Sequence, residues 1–188
     1  METTPLSQTV DSLSAIDDAI NVQLNLLAEL ATQLTFKEIL TFELGENIPT
    51  LPEEISKKKG IYFFQLKNED IQQSVIDWAS SFKLIWENGD VIWVPGIKKM
   101  RVHAHKMFGE WVPLYIGKSK KVGIRIFEHI NQVGNRETFS MKLKARTNMH
   151  GKSFRVSWIA LDVNNYDTIA PVLESIFRNQ YNPIVGKQ

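Results

Sequence analysis

Between residues 8 and 34 the apolar side chains Val10, Leu13, Ile16, Ile20, Leu24, Leu27 and Leu30 recur at spacings of three or four, which predicts one face of a helix. Ser12 or Ser14 is a candidate cap for its start, with Asp17 and Asp18 in the favourable first turns. Asn21, Gln23, Asn25 and Glu29 interrupt the apolar run from Ile20 to Leu30. No stretch approaches the roughly 18 uninterrupted apolar residues of a membrane helix. Thr35 then reads as the cap of a second short helix containing Phe36, Ile39 and Leu40. Gly45 to Pro52 is a connector, ending in the capping pair Thr50 and Glu53.

Beyond the connector the pattern changes. Gly60 to Leu66 is an aromatic strand, with Ile61, Tyr62, Phe63 and Phe64 in succession. Residues 70–83 place Ile71, Val75, Trp78, Ala79 and Phe82 along one helical side. Ile85-Trp86 and Val91 to Val94 flank Glu87-Asn88-Gly89-Asp90, where Asn-Gly predicts a hairpin reversal, with Trp86 and Trp93 in its core. Lys98 to Lys106 is a basic, irregular strip in which His103 and His105 read as a surface pair. Trp111 to Ile116 is a strand, Val122 to Ile130 a helix, and Phe154 to Leu161 a third strand. Lys142, Lys144 and Arg146 alternate with Met141, Leu143 and Ala145, which predicts a half-buried strand or basic ribbon. Asp167 or Thr168 caps a last helix through Arg178, ended by Asn182-Pro183. The expected fold class is therefore α+β: a small three-stranded central sheet flanked by helices, with a helix–hairpin insertion and an N-terminal helical arm. The expected division is an acidic arm and linker at 1–54 and a second domain at 55–188, with the insertion at about 67–111.

Composition sharpens this picture. The chain has 188 residues and no cysteine, which excludes disulfides and thiolate metal sites. The opening Met1-Glu2-Thr3-Thr4-Pro5 has no basic region before an apolar segment, so a cytoplasmic location without a secretory signal is expected. A formal net charge of +1 conceals an asymmetry. Residues 1–54 hold ten Asp or Glu against Lys37 alone, and residues 55–188 hold twenty-one Lys or Arg against eleven acids. A basic body of that kind suits a polyanion such as DNA or RNA.

The chemistry concentrates at Leu114-Tyr115-Ile116-Gly117-Lys118-Ser119, followed by Arg125 and His129 four residues apart on one helical face. A hydroxyl, a glycine turn, a guanidinium and an imidazole are the groups that position a phosphodiester and move protons around it. Tyr62 and the late acid Glu174 complete the set. Glu174 is a hard oxygen ligand suited to Mg²⁺ or Mn²⁺, and Arg125 offers a rigid fork for nonbridging phosphate oxygens. A tyrosine becomes a useful base only where nearby cations stabilise its phenolate, and Arg125, Lys118 or His129 are candidates for that field.

Gly60-Ile61-Tyr62 and Tyr115-Ile116-Gly117, with Arg125, His129, Glu174 and the ending Tyr181-Asn182-Pro183, resemble the GIY-YIG endonuclease superfamily from Gly60 to the C-terminus. The compact restriction-type members are the nearest likeness. Two positions depart from the usual pattern. The tyrosines stand fifty-three positions apart, which a folded insertion explains. Gly186 occupies the place where many members have asparagine, with Asn182 or Asn179 as a substitute.

The resemblance implies a catalytic set of Tyr62, Tyr115, Arg125, His129 and Glu174. Tyr62 would be the general base, Tyr115 would steady the water or phosphate, and Glu174 would hold one Mg²⁺ (or Mn²⁺). The expected activity is site-specific, metal-dependent cleavage of double-stranded DNA, with Lys118, Lys120, Lys121, Lys142, Lys144 and Arg146 as DNA-binding candidates. A homodimer is expected, assembled or braced by the acidic helix, with a cognate DNA methyltransferase as a genetic partner and no membrane association. The competing expectations are a repair or mobile-element nuclease acting on branched or damaged DNA, and a non-catalytic DNA-binding or interaction protein.

Overall fold

In the computed structural model, residues 5–45, 47–88, 91, 94–133 and 139–186 are described. The chain divides into two compact units, Met1–Thr35 and Phe36–Gln188. The first is a single helix, α1 (Pro5–Ala31), with exposed Val10, Leu13, Ile16, Ile20 and Leu24 along the expected stripe. It starts upstream of Ser12 and Ser14, so neither serine caps it. No helix among the described residues is long and apolar enough to cross a membrane.

The second unit is an α+β layer around one antiparallel sheet of four strands: β1 (Lys37–Glu43), β2 (Gly60–Lys67), β3 (Trp111–Ser119) and β4 (Ser153–Ala160), in the spatial order β1-β4-β2-β3. The expected sheet had three strands. The fourth is β1, which the sequence pattern assigned to a short helix within the arm. Its register shifts between Glu38 and Leu40, leaving Ile39 and Leu40 both half-buried. That bulge breaks the alternation that would have marked a strand. Paired to β4 from Lys37↔Trp158 to Glu43↔Ser153, the segment belongs to the sheet.

Between β2 and β3 lie α2 (Val75–Glu87) and α3 (Lys99–His103). Ser74 caps α2 by accepting from the Asp77 amide. The expected hairpin is corrected here: Ile85 and Trp86 are the last turn of α2, because Trp78, Phe82 and Trp86 continue one stripe at four-residue spacing. The second arm of that hairpin, including Trp93, falls largely outside the described residues. The strip from Lys98 is likewise not extended, because α3 occupies Lys99–His103; His105 lies beyond it, and its Nε2 meets the Asn182 carbonyl at 2.8 Å. Thr50 and Glu53 form no capping box, since the turn Glu53–Ile55 follows Pro52 without a side-chain cap.

Strand alternation on β2 assigns the two sides of the sheet. Tyr62, Phe64 and Leu66 join the core built with α2 and with α4 (Val122–Asn131) through Val122, Ile126 and Ile130. Phe63 faces the other way, into an aromatic cluster with Phe36, Phe177 and Tyr181 under α5 (Tyr166–Tyr181). α5 begins after Asn165, which places Asp167 and Thr168 inside its first turn; it ends at Asn182 in a left-handed conformation. The free edge of β3 is covered by the C-terminal segment, whose Ile184 and Val185 amides donate to the Pro113 and Leu114 carbonyls at 3.0 and 2.9 Å. Covering that edge removes a template for unwanted pairing.

Candidate active site

β2 and β3 pair antiparallel, with Tyr62 opposite Gly117 and Phe64 opposite Tyr115. Two strands far apart in sequence thus bring the tyrosines onto one side of the sheet, where their rings stack with centroids 6.1 Å apart at 20°. Gly117 makes this possible: a Cβ there would lie 2.5 Å from the Tyr62 hydroxyl. At Gly186, φ is +123°, and a Cβ would come within 3.1 Å of the Tyr115 ring. Glycine at that position is therefore a backbone requirement of the segment covering β3. The side-chain oxygens of Asn182 and Asn179 accept from Arg101, at 3.0 and 2.9 Å.

α4 carries Arg125 and His129 over these rings. His129 is completely buried. Its Nδ1 accepts from the Met141 amide at 3.1 Å, which places the proton of the neutral ring on Nε2. Nε2–H then donates to the Tyr62 oxygen, 3.0 Å away. Burial, and then the charge of Arg125, hold the imidazole well below the usual histidine range, so it is neutral. Tyr62 is also buried. Burial raises its hydroxyl well above 10.0, repulsion from Tyr115 adds to the rise, and Arg125 opposes it. Burial likewise raises Tyr115, with Arg125 again opposing. At neutral pH both tyrosines are hydroxyls, and Arg125 is the nearby cation that favours their phenolates.

One cavity of about 200 Å³ is lined by Tyr62, Tyr115, Gly117, Lys118, Arg125 and Glu174, while His129 lies buried behind Tyr62 and outside the lining. Glu174 reaches it from α5, on the other side of the sheet from α4. Its carboxylate pairs with Lys118 Nζ at 2.9 Å, while Arg125 Nη1 pairs with Glu128 at 2.6 Å. Among the described residues no group of three or more His, Asp or Glu gathers to hold an ion. One carboxylate with room for water still fits Mg²⁺, which keeps several waters and takes phosphate oxygens in addition to one or two protein ligands.

Phe139 and Arg178 also line the cavity, and the sequence reading singled out neither. Arg178 had a usable signal: it follows Glu174 by four residues, the same one-turn spacing that links Arg125 to His129. The Met141 amide had none, since any residue could supply it.

The DNA-binding candidates separate. Lys120 and Lys121 are exposed beside the cavity strand, Lys120 pairing with Asp167 at 2.8 Å. The expected ribbon at 141–146 is instead a pair of 3-10 turns, Leu143–Ala145 and Thr147–Met149. Lys144 is exposed there, but Lys142 and Arg146 are buried. Arg146 stacks on Trp86 at 3.8 Å, and its Nε and Nη1 donate to the Met141 and Trp86 carbonyls at 2.9 and 2.7 Å. Its guanidinium holds the end of α2, and buried Trp86 is not a stacking surface for a base.

No family model, curated protein or solved structure matches the chain.

Proposed function

We propose that the chain is a divalent-metal-dependent endodeoxyribonuclease of the GIY-YIG type, with restriction-type specificity for duplex DNA. The observation that carries this reading is the convergence of Tyr62, Tyr115, Arg125 and Glu174, from two strands and two helices, on one cavity. The charge asymmetry adds support, because the excess of basic residues lies in the unit that holds the cavity.

In this scheme Arg125 and Lys118 bind nonbridging oxygens of the scissile phosphate and offset the charge that builds as the phosphorus–oxygen bonds rearrange. The Tyr62 oxygen accepts a proton from the attacking water, whose oxygen forms the new bond to phosphorus as the leaving oxygen departs and takes a proton from solvent. That role needs Tyr62 as phenolate, its own proton having gone to solvent. His129 Nε2–H and Arg125 favour that form, and burial opposes it. Substrate phosphate must therefore be gripped without silencing the cationic field on Tyr62, a task for which the cavity has several cations. Tyr115 steadies the water and the phosphate. Glu174 would hold Mg²⁺ or Mn²⁺, which when bound supplies positive charge to the phosphoryl group and lowers the pKa of bound water.

We also propose a homodimer, assembled through the exposed apolar stripe of α1, which would present two sites to the two strands of a duplex. A cognate methyltransferase would be a genetic partner protecting host sites. The test is digestion of diverse duplex DNA with magnesium, followed by sequencing of the ends. Recurrent ends at one sequence are expected. Cleavage confined to branched substrates would move the assignment to a repair or mobile-element nuclease, and no magnesium-dependent cleavage would remove the enzymatic reading.

A further inference from the structure

Arg178 stands on α5 one turn after Glu174 and lines the same cavity. Its Nη2 is buried and makes no hydrogen bond. The acids that might have neutralised it are engaged elsewhere: Glu174 with Lys118 and Glu128 with Arg125. Its neighbour is instead another cation. Arg101, from the insertion, donates to the Arg178 carbonyl and to the Asn179 and Asn182 side chains. A charged donor without an acceptor, pressed beside a like charge, is an unfavourable arrangement in an empty site. An anion with several acceptor oxygens resolves it.

We propose that Arg178 is a second phosphate-contacting arginine, taking a nonbridging oxygen of a nucleic-acid phosphodiester from the α5 side of the cavity while Arg125 approaches from the α4 side. The polymer identity rests on the nuclease reading; anion capture by Arg178 rests on the cavity itself. Capture by Nη2 requires the guanidinium to turn that edge towards the space the side chain already lines. Lys118, Arg125 and Arg178 together outweigh the Glu174 carboxylate in that lining, so the captured group is anionic. The insertion then acquires a role in the site, because Arg101 secures the final turn of α5 through the Arg178 carbonyl.

The test uses inorganic phosphate as the probe and full-length, metal-free protein with nitrogen-15-labelled arginine. The Arg178 Nε–H resonance is expected to shift saturably with phosphate, and Arg178→Gln is expected to weaken phosphate binding about tenfold or more, as loss of a charge-assisted hydrogen bond does. Arg101 bonds to the backbone oxygen of residue 178, so the substitution keeps the helix cap. A thermal melt checks that, and Arg178→Lys, which keeps the charge without the fork, carries the test if the glutamine variant unfolds. Phosphate affinity unchanged in both variants, or an Arg178 resonance that does not respond, overturns the proposal. A wild-type protein that binds phosphate through Arg178 yet leaves every duplex uncut supports the anion site and removes the nuclease reading. In single-turnover digestion with saturating enzyme, the glutamine variant is expected to cleave more slowly than wild type.

Discussion

Arg125 and Arg146 are both arginines in basic stretches of the same unit, and their surroundings give them opposite tasks. Arg125 is half-buried on α4, lines the cavity, and acts on two tyrosine hydroxyls. Arg146 is 1% exposed, lies over Trp86, and gives Nε and Nη1 to backbone carbonyls, with Nη2 buried and unpartnered but lining no cavity of the tyrosine site. Burial lowers it to about 10, a perturbation as conspicuous as those of the cavity. A perturbed ionisable group therefore does not mark a functional site until its donors are traced. Those of Arg125 lead to a cavity and those of Arg146 to the end of a helix.

The largest expected effect breaks the pair apart. Arg125→Ala should slow single-turnover DNA cleavage about a thousandfold, equivalent to some 4 kcal/mol of transition-state stabilisation. Its folding stability should change by only about 1 kcal/mol, since the i,i+3 ion pair it loses with Glu128 is partly open to solvent. Near-normal cleavage at saturating enzyme would remove Arg125 from the chemistry. Arg146→Ala should do the reverse. Urea unfolding is expected to show a loss of about 3 kcal/mol from two buried charge-assisted hydrogen bonds and the Trp86 contact, with normal cleavage per folded molecule. A stable Arg146→Ala protein that fails to bind DNA would return that residue to the DNA surface.

A smaller effect concerns pH. Because His129 is held neutral by burial, the unfolded chain takes up a proton below about pH 6.5 that the folded chain does not. Stability should fall as pH drops from that value towards the lowered native pKa, by at most about 1.4 kcal/mol per pH unit. Urea midpoints across this window measure it, and His129→Gln should flatten the slope; an unchanged slope would mean the imidazole is not the titrating group. Tyr62 acts at the other end. Its raised pKa keeps the folded protein protonated above about pH 10, where free tyrosine ionises, so stability should fall as pH rises from there. Below its native pKa, cleavage limited by the phenolate should rise with pH. The smallest effect sorts the remaining lysines: Lys144→Ala should lower the salt slope of DNA binding by about 1, and Lys142→Ala, at a buried position, should leave that slope unchanged while lowering stability.

The same distinction explains what could be read from sequence. β2, β3 and α4 were legible because their apolar spacing is regular and their chemistry falls at fixed intervals: Gly60 two residues before Tyr62, Gly117 two after Tyr115, and His129 one turn after Arg125. β1 was not, because its bulge at Glu38/Leu40 gives Ile39 and Leu40 similar burial and imitates a helix. The Asn88-Gly89 signal suggested a hairpin, yet its expected first arm, Ile85-Trp86, belongs to α2, where Trp86 continues the Trp78–Phe82 stripe. Around residues 141–146 the alternation of Lys and apolar side chains looked like an edge strand. Only the fold shows that Lys142 and Arg146 turn inwards. Arg178 was legible in principle from its four-residue spacing after Glu174, but that spacing gains meaning only when α5 is placed beside the cavity.

The measurement that bears most directly on the central claim is a parallel single-turnover digestion of duplex DNA in magnesium by wild type, Tyr62→Phe and Glu174→Gln, with DNA binding in calcium as the control. The account predicts magnesium-dependent cleavage by wild type and none above background by either variant, although both still bind the duplex. Glu174→Gln should bind at least as tightly, because it removes a negative charge from the cavity. Robust cleavage by Glu174→Gln, or cleavage by Tyr62→Phe at the wild-type rate, would contradict it.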